Sequence, residues 1–370
     1  MSVRRLRLVL LALVALAGAL YGSAYLLTGS SGFARAVVWG ESDIEDRHRF
    51  PARAIQAGGD DWPLPQAPAR LRLDEFLEER STRAFLVLHR GRVVYERYFN
   101  GGSRKELETS FSVAKSFLST LIGIAIEEGA ISGLDEPITR RLPELEERDR
   151  RFARIRVRDL LSMSSGIRYE EGGMPWSDDA VTYYGTDLRE VALEDTEIEQ
   201  PPGMSWHYNN FNPLLLGLIL ERATGKAVAE YMETRLWRPM RAEADASWSL
   251  DSEDSGFEKM ESGVNARARD FARFGLLMLR GGRAGSGRVV APGWVRAATV
   301  DHSGYFGYGL GWWVEAGSRG GQRPFLARGK YGQVVVVDPA HDAVVVRLGS
   351  DDAGVDWKTM ALDVATRVNR

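Results

Sequence analysis

The chain has 370 residues, 44% of them apolar and 27% charged, which is the composition of an ordinary globular protein and excludes a disordered chain, a collagen or a many-span membrane protein. Its 48 lysines and arginines against 51 acidic residues give a formal net charge of −3, so a nucleic-acid partner is not expected. The absence of cysteine excludes disulfide bonds, thiolate nucleophiles and cysteine-ligated zinc.

The first predicted element is an apolar helix at the N-terminus. Residues 8–27 carry no charge, and Arg4, Arg5 and Arg7 precede them. A helix of this length is about 30 Å long, enough to cross a bilayer core. Arginines before such a run hold the N-terminus in the cytoplasm, so residues 1–30 are predicted to be an uncleaved anchor, with the rest of the chain outside the cytoplasm, periplasmic or extracellular. The alternative is a signal peptide cleaved near Gly22-Ser23-Ala24, which also exports the chain.

The remaining predicted elements follow a short segment with many prolines. Residues 31–70 contain four prolines and a glycine pair, and we predict a linker or wrapping segment there. The patterns then predict strands at Ala84–His89 and Val93–Tyr98, helices at Phe111–Gly129, Asn212–Ala223, Lys226–Leu236 and Arg267–Leu279, strands at Tyr308–Glu315, Pro324–Arg328, Gln333–Asp338 and Ala343–Leu348, and a helix at Val355–Val368.

This order of elements predicts an α+β fold rather than a doubly wound sheet. Strands at both ends of residues 71–370, arranged in hairpins, indicate one central antiparallel sheet flanked by helices. The helical patterns between about 130 and 250 would form an inserted all-helical lobe. A functional site is expected in the cleft between the sheet and this lobe.

Ser112 and Lys115 lie one turn apart at the start of a predicted helix and share one face. A serine hydroxyl is a weak nucleophile until a base takes its proton, and a nearby lysine can do so if burial keeps its amine uncharged. The helix N-terminus also offers a backbone N–H to a developing oxyanion. Taken alone, the Ser-x-x-Lys pattern favours a lysine that simply extends along an amphipathic helix.

A second pattern, Tyr208-Asn209-Asn210, follows the turn Pro201-Pro202-Gly203 and precedes a predicted helix. A tyrosine at this place can relay a proton between nucleophile and leaving group. The Asn210 amide can hold a substrate carbonyl and orient the lysine. The alternative is a polar cap for the following helix, and both can hold at once.

A third pattern, Gly329 to Gln333, reads Gly-Lys-Tyr-Gly-Gln between two apolar strands. Lys330 offers a cation at a strand edge, and Gly332 allows close approach to the backbone. The N–H of Gln333 is predicted to complete an oxyanion hole with that of Ser112. For this segment alone, a hairpin turn with a solvated lysine is the stronger interpretation.

Together the three patterns change the interpretation, because they occur in the order Ser-x-x-Lys, Tyr-x-Asn and Lys-x-Gly. The chain thereby resembles the penicillin-recognising serine hydrolases, which comprise serine β-lactamases, D,D-peptidases and related esterases. The resemblance extends over residues 70–365 through three further segments, at 160–166 (LLSMSSG), 201–210 (PPGMSWHYNN) and 263–279 (GVNARARDFARFGLLML). The tyrosine of the second motif is similar to class C members. The forms of residues 163–166 and 328–333 are similar to the 6-aminohexanoate-dimer hydrolase and esterase subgroup.

The resemblance implies a β-lactamase-like fold and an acyl-enzyme mechanism that needs no metal ion or organic cofactor. It implies Ser112 as the nucleophile, Lys115 as its general base and Tyr208 as an aid to proton transfer to the leaving group. Asn210 would support the substrate and Lys115. The positions implied for substrate or oxyanion contact are Asn210, Lys330, Tyr331, Gly332, Gln333 and Tyr169.

One departure from the family pattern bears on the substrate. Tyr331 stands where β-lactam-processing members have a threonine, which removes a hydroxyl expected to bind the β-lactam carboxylate. Lys330 keeps the usual cation, so recognition of an acidic group is not lost altogether. The first hypothesis is an exported serine hydrolase for a small-molecule ester or amide. The alternatives are a cell-wall D,D-peptidase or β-lactamase, and a catalytically silent binding protein on the same fold.

Overall fold

The computed structural model describes residues 3–28, 31–59, 63–67, 71–304, 306–315 and 323–368. Its strands, numbered in chain order, are β1 (Ala52–Ile55), β2 (Thr82–His89), β3 (Arg92–Tyr98), β4 (Glu108–Thr109), β5 (Ala246–Ser249), β6 (Val264–Ala266), β7 (Arg283–Ala284), β8 (Gly287–Arg288), β9 (Trp313–Val314), β10 (Phe325–Gly329), β11 (Gln333–Asp338) and β12 (Ala343–Gly349). Its α-helices are α1 (Val3–Thr28), α2 (Ser31–Trp39), α3 (Asp74–Glu79), α4 (Ala114–Glu127), α5 (Pro143–Arg148), α6 (Val157–Leu161), α7 (Asp178–Tyr184), α8 (Leu188–Glu194), α9 (Phe211–Thr224), α10 (Val228–Met232), α11 (Ala268–Leu279), α12 (Pro292–Ala298) and α13 (Trp357–Arg367).

A six-stranded antiparallel sheet in the order β3-β2-β12-β11-β10-β9 forms the centre of the fold. Successive side chains of a strand point to opposite faces of the sheet. In the middle strands β11 and β12 every residue is buried, so both faces of these strands are covered. Val335 and Val344 belong to the core cluster that includes α11, whereas Val336 and Val345 belong to the cluster that includes α13. Burial on both faces explains why these strands read as unbroken apolar runs. The predicted α+β class with a central antiparallel sheet is confirmed.

Helix α4 lies between this sheet and the helices of the predicted lobe. Its residues are buried from Ala114 to Ala125, and it packs on α9 and α12. The Ser116 hydroxyl donates to the Gly311 carbonyl at 2.7 Å, which fixes α4 to the loop before β9. The N-terminal end of this buried helix is therefore a firm support for a functional side chain.

Gly123 of α4 faces the Trp294 ring of α12. Replacing this glycine by alanine is expected to destabilise the protein. A Cβ at this position would overlap the indole ring of Trp294, which is buried in α12. Overpacking of this kind costs about 1–3 kcal/mol, so the thermal unfolding midpoint of Gly123→Ala should fall by several degrees. The matched control is Gly293→Ala, where a Cβ meets nothing within 4 Å. Equal midpoints for the two variants would contradict this packing.

The segment 31–59 is more than the linker predicted for residues 31–70. Helix α2 packs on α7, and β1 pairs with β5 in a second sheet of order β1-β5-β6-β4. The apolar anchors of the segment, Ile44, Phe50 and Ile55, are buried but stand singly among polar residues. Such isolated positions give no periodic pattern, which is why the sequence predicted only a wrapping segment.

The predicted strand Tyr308–Glu315 is much shorter in the structure. Only Trp313 and Val314 form β9, because Gly307 and Gly311 take positive φ angles of 66° and 77° and turn the chain. The predicted strand Gln333–Asp338 coincides with β11, and the predicted helix Asn212–Ala223 lies within α9.

Helix α1 is long and apolar enough to cross a membrane. Its stretch Arg5–Ser23 has a mean hydropathy of 1.9 and is not buried against the rest of the protein. Leu13, Val14 and Leu16 are exposed. A signal sequence has the same properties, so the helix is a candidate for either.

Candidate active site

Ser112 lies in a 3₁₀ turn, Phe111–Val113, that leads directly into α4. The Ser110 N–H donates to the Val264 carbonyl at 2.8 Å, and the Ser110 hydroxyl donates to the Ser262 carbonyl at 3.0 Å. The next residue, Phe111, has a φ of 42°. A bulky residue adopts this backbone conformation only when its surroundings impose it. The tightened turn places the Ser112 side chain at the wall of a cleft.

Lys115 is buried, and its Nζ is held at two points. Its Nζ donates to Ser112 Oγ at 2.9 Å and to the Glu261 carbonyl at 3.0 Å. The same Nζ lies 4.9 Å from the centre of the Tyr208 ring. The structure thus brings together the three residues predicted to be catalytic. The Glu261 carbonyl was not predicted, because a backbone contact leaves no mark on residue type.

The side chain of Glu261 is held by its own neighbours in the segment that precedes β6. Its carboxylate pairs with Lys259 at 3.0 Å and accepts a hydrogen bond from the Ser262 hydroxyl at 2.6 Å. Burial lowers the pKa of Lys259, and the neighbouring Glu261 carboxylate opposes that effect. The pair is therefore a buried anchor for the backbone carbonyl that contacts Lys115.

Tyr208 lines the cleft and belongs to an aromatic cluster. Its ring stacks on Trp313 with centres 5.9 Å apart and meets Tyr308 edge to face at 6.1 Å. Burial, and then the proximity of Tyr208, raises the pKa of the Tyr308 phenol well above its usual value, so Tyr308 stays neutral. The cluster fixes the Tyr208 ring while leaving it on the cleft wall.

Asn210 lines the cleft but does not make the contact with Lys115 that the resemblance implied. Its Nδ2 donates to the Tyr169 hydroxyl at 2.8 Å and to Asp179 Oδ1 at 3.2 Å. Tyr169 donates in turn to Asp179 Oδ1 at 2.6 Å. Burial, followed by the Asp179 charge, raises the pKa of Tyr169 well above its usual value, so this tyrosine remains a donor. Tyr169 is buried, and its hydroxyl is held between Asn210 and Asp179, so the structure places it beside Asn210.

The third motif contributes one side chain to the cleft, Lys330. The Tyr331 ring packs against Phe111 with centres 5.5 Å apart, and its hydroxyl donates to the Ser42 carbonyl. Tyr331 has a φ of 60° and Gly332 a φ of 71°, so this turn is tightly wound. A Cβ at Gly332 would overlap the Trp357 ring, which shows that the glycine is needed for packing.

Gln333, whose N–H was predicted to contribute to an oxyanion hole, lies at the end of the Lys330–Gly332 turn and at the start of β11. Its backbone N–H donates to the Lys330 carbonyl, and it is therefore already used within the turn. Its buried side chain exchanges hydrogen bonds with the backbone of Gly349, with Nε2 donating at 2.6 Å and Oε1 accepting at 2.8 Å. Gln333 thus joins β11 to the end of β12.

The cleft has a volume of about 740 Å³, and it suits a small-molecule ligand. Its described lining includes Ser112, Tyr208, Asn210 and Lys330, together with apolar and aromatic groups such as Phe111, Ala180, Tyr183 and Tyr184 and acidic groups at Glu41, Glu171, Asp179 and Glu261. A neighbouring cavity of about 450 Å³ shares Ser112, Tyr208 and Lys330. Among the residues that the structure describes, no cluster of three or more His, Asp or Glu side chains could hold a metal ion.

The chain is similar to known proteins over most of its length. Residues 71–366 match the sequence profile of the family described as Beta-lactamase. The chain is 32% identical to the 6-aminohexanoate-dimer hydrolase of Paenarthrobacter ureafaciens over 301 residues, which is 75% of each chain. Two solved structures share the fold. A candidate 6-aminohexanoate-dimer hydrolase from Bacillus anthracis has a TM-score of 0.76 and 24% identity over 88% of this chain and 94% of its own. A penicillin-binding protein from Bacillus halodurans has a TM-score of 0.63 and 18% identity over 80% and 99%.

The matched region contains the sheet, the helices of the predicted lobe and all three motifs. A profile match over this length, together with a relative at 32% identity, is far more than three short motifs could give by chance. The chain belongs to the beta-lactamase family of serine hydrolases.

Proposed function

We propose that the protein hydrolyses a small-molecule ester or amide through an acyl-enzyme on Ser112. The observation that carries this proposal is the 2.9 Å contact between Lys115 Nζ and Ser112 Oγ at the wall of an open cleft. A nucleophile within hydrogen-bond reach of a base, which is itself held by a third group, is the arrangement that nucleophilic catalysis requires. The third group here is the Glu261 carbonyl.

The proposed reaction has two balanced halves. Ser112 Oγ bonds to the substrate carbonyl carbon while its proton passes to Lys115 in its uncharged form. The bond from carbon to the leaving oxygen or nitrogen then breaks, and Tyr208 conveys a proton to the departing group. Water next attacks the acyl carbon, the bond to Ser112 Oγ breaks, and the acid is released with the serine hydroxyl restored.

An unpaired acceptor in the cleft lining favours a substrate with a hydrogen-bond donor. Asn210 Oδ1 is buried and has no hydrogen-bond partner among the described residues. An N–H of an amide substrate would satisfy it, and the Tyr169 and Asp179 contacts hold the amide group in place. The name of the Paenarthrobacter relative, a hydrolase of a 6-aminohexanoate dimer, supports a small substrate of this class.

We also infer that α1 holds the enzyme at a membrane, with the hydrolase part on the outer side. The length and hydropathy of the helix support attachment, and Arg5 and Arg7 before its apolar part support a cytoplasmic N-terminus. The substrate would then be one that the enzyme meets outside the cytoplasm.

Intact-mass measurement of the full-length protein with a fluorophosphonate tests the proposed nucleophile. The wild type should gain one adduct and Ser112→Ala none, because only an activated serine reacts readily. Ser103→Ala, an exposed serine away from the cleft, is the matched control and should be labelled like the wild type. Failure of the folded wild type to react would favour a silent binding protein, and labelling of Ser112→Ala would place the nucleophile elsewhere.

Benzylpenicillin in a parallel incubation separates the two enzymatic alternatives. A Ser112-dependent penicilloyl adduct, or turnover of the antibiotic, would favour a D,D-peptidase or β-lactamase. Fluorophosphonate labelling without reaction at the β-lactam is the expected result. Tyr331 stands in place of the threonine whose hydroxyl is expected to bind the β-lactam carboxylate in the family.

A further inference from the structure

One wall of the cleft is formed by residues 31–50, which we name the N-terminal strap. The strap consists of α2 and the 3₁₀ turn Ile44–His48, and it lies on α7 of the helical lobe. The Tyr184 hydroxyl donates to the Gly40 carbonyl at 2.6 Å, and Arg35 donates to the Asp251 carbonyl at 2.7 Å. The strap is therefore bound to the domain through α7 and through the residue that follows β5 and Leu250.

The middle of the strap reaches across to the third motif. Lys330 Nζ donates to Glu41 Oε1 at 2.9 Å and to the Ser42 hydroxyl at 2.8 Å. The Tyr331 hydroxyl donates to the carbonyl of the same Ser42. Three hydrogen bonds from two consecutive residues of the motif thus end on two consecutive residues of the strap.

The charges of the two partners are matched. The hydrogen bond from Lys330, and then the Lys330 charge, lower the pKa of Glu41, which is therefore ionised at neutral pH. Burial opposes the charged form of Lys330, but the hydrogen bond to Glu41 and the contact with Tyr331 raise its pKa on balance. The ammonium group at the cleft wall is consequently paired with a carboxylate of the same chain.

The pairing changes what the cleft offers to a substrate. Lys330 is the cation of the described cleft lining, whereas Glu41, Glu171 and Asp179 are acidic. A carboxylate arriving at Lys330 has to displace Glu41 or lie beside it, and like charges in such a position repel each other. A neutral or cationic group meets no such opposition.

We propose that Glu41 is a specificity-determining residue, which occupies Lys330 and so selects against substrates that carry a carboxylate at this end of the cleft. This inference rests on the proposed hydrolase function and narrows its substrate class to esters and amides that carry no carboxylate at this end of the cleft.

Two matched ester pairs test the proposal with the full-length protein in a mild detergent. The first pair is mono-4-nitrophenyl glutarate and its methyl ester, which differ by a carboxylate on the acyl side. The second is 4-acetoxybenzoate and its methyl ester, which differ by a carboxylate on the leaving group. In each pair the ratio of kcat/KM, charged over neutral, is compared between the wild type and Glu41→Gln.

The ratio for at least one pair should rise about three- to tenfold in Glu41→Gln and further in Glu41→Lys, since exposed ion pairs are weak but charge reversal adds attraction. Glu45→Gln removes an equal charge from the same strap, next to Arg47 and His48, and should leave both ratios unchanged. In a Lys330→Met background, Glu41→Gln should no longer raise either ratio. Unchanged ratios in both Glu41 variants would overturn the proposal.

A binding measurement distinguishes this failure from failure of the hydrolase function. Ser112→Ala and Ser112→Ala/Glu41→Gln are titrated with 4-acetamidobenzoate and with its methyl ester. The charged ligand should bind more tightly by a similar factor when Glu41 is neutralised, whatever the rate of hydrolysis. Equal affinities would overturn the role of Glu41 even in an active enzyme. Absence of Ser112-dependent hydrolysis of the neutral esters would instead count against the proposed function.

Discussion

Ser112→Ala is expected to lower kcat/KM for a neutral 4-nitrophenyl ester by at least about a thousandfold, because the covalent route is lost with the hydroxyl. Lys115 Nζ then has nothing to activate, so the Ser112→Ala/Lys115→Ala double variant should be no slower than the single one. Such non-additivity is typical of residues that act as one unit. The measurement is initial-rate kinetics on full-length proteins purified in parallel.

The interpretation depends on an intact fold. Ser112 lies at the cleft wall, and the turn around it is held by Ser110 rather than by its own hydroxyl. The thermal unfolding midpoint of Ser112→Ala should therefore stay close to that of the wild type, as should that of the control Ser103→Ala. Retention of more than a tenth of the wild-type rate by Ser112→Ala would refute the acyl-enzyme mechanism on this residue.

The proximity of Ser112 and Lys115 could be predicted from the sequence because it is local, whereas their proposed catalytic role came from the resemblance of the whole motif series. Residues three apart in a helix share a face whatever the rest of the fold does, and Ser112 and Lys115 are 2.9 Å apart in the structure. Tyr208 joins them from the helical lobe, and its position could be anticipated only through the resemblance of the whole motif series. The Glu261 carbonyl could not be anticipated, because any residue type can supply a carbonyl.

The third motif shows the limit of transfer by motif. Lys330 lies at the cleft as predicted, but a tight turn directs the Gln333 N–H to the Lys330 carbonyl and seals Gly332 against Trp357. Backbone hydrogen bonding in a turn depends on φ and ψ at each position, and a short pattern of residue types does not determine them. The sequence therefore could not predict which residues of this segment line the cleft.

The central sheet and the N-terminal strap differ in predictability for a related reason. Long apolar runs such as β11 and β12 predict buried strands without knowledge of their partners. The strap is held instead by single contacts to residues far along the chain, for example Arg35 to Asp251 and Glu41 to Lys330. Pairs separated by more than 200 positions leave no local pattern, so the strap was predicted only to wrap around the domain, and its contribution to the cleft was missed.

Lys115→Arg is expected to lower kcat/KM by about a hundredfold or more, although it keeps a long basic side chain, because a guanidinium cannot accept the Ser112 proton. Lys115→Met, which fills a similar volume without charge, should be at least as slow. Lys105→Arg, at an exposed lysine, is the matched control and should behave like the wild type. Unfolding midpoints of all three variants show whether the buried site tolerates the change. A folded Lys115→Arg enzyme within tenfold of the wild-type rate would mean that the charge of Lys115, and not proton transfer to its amine, activates Ser112.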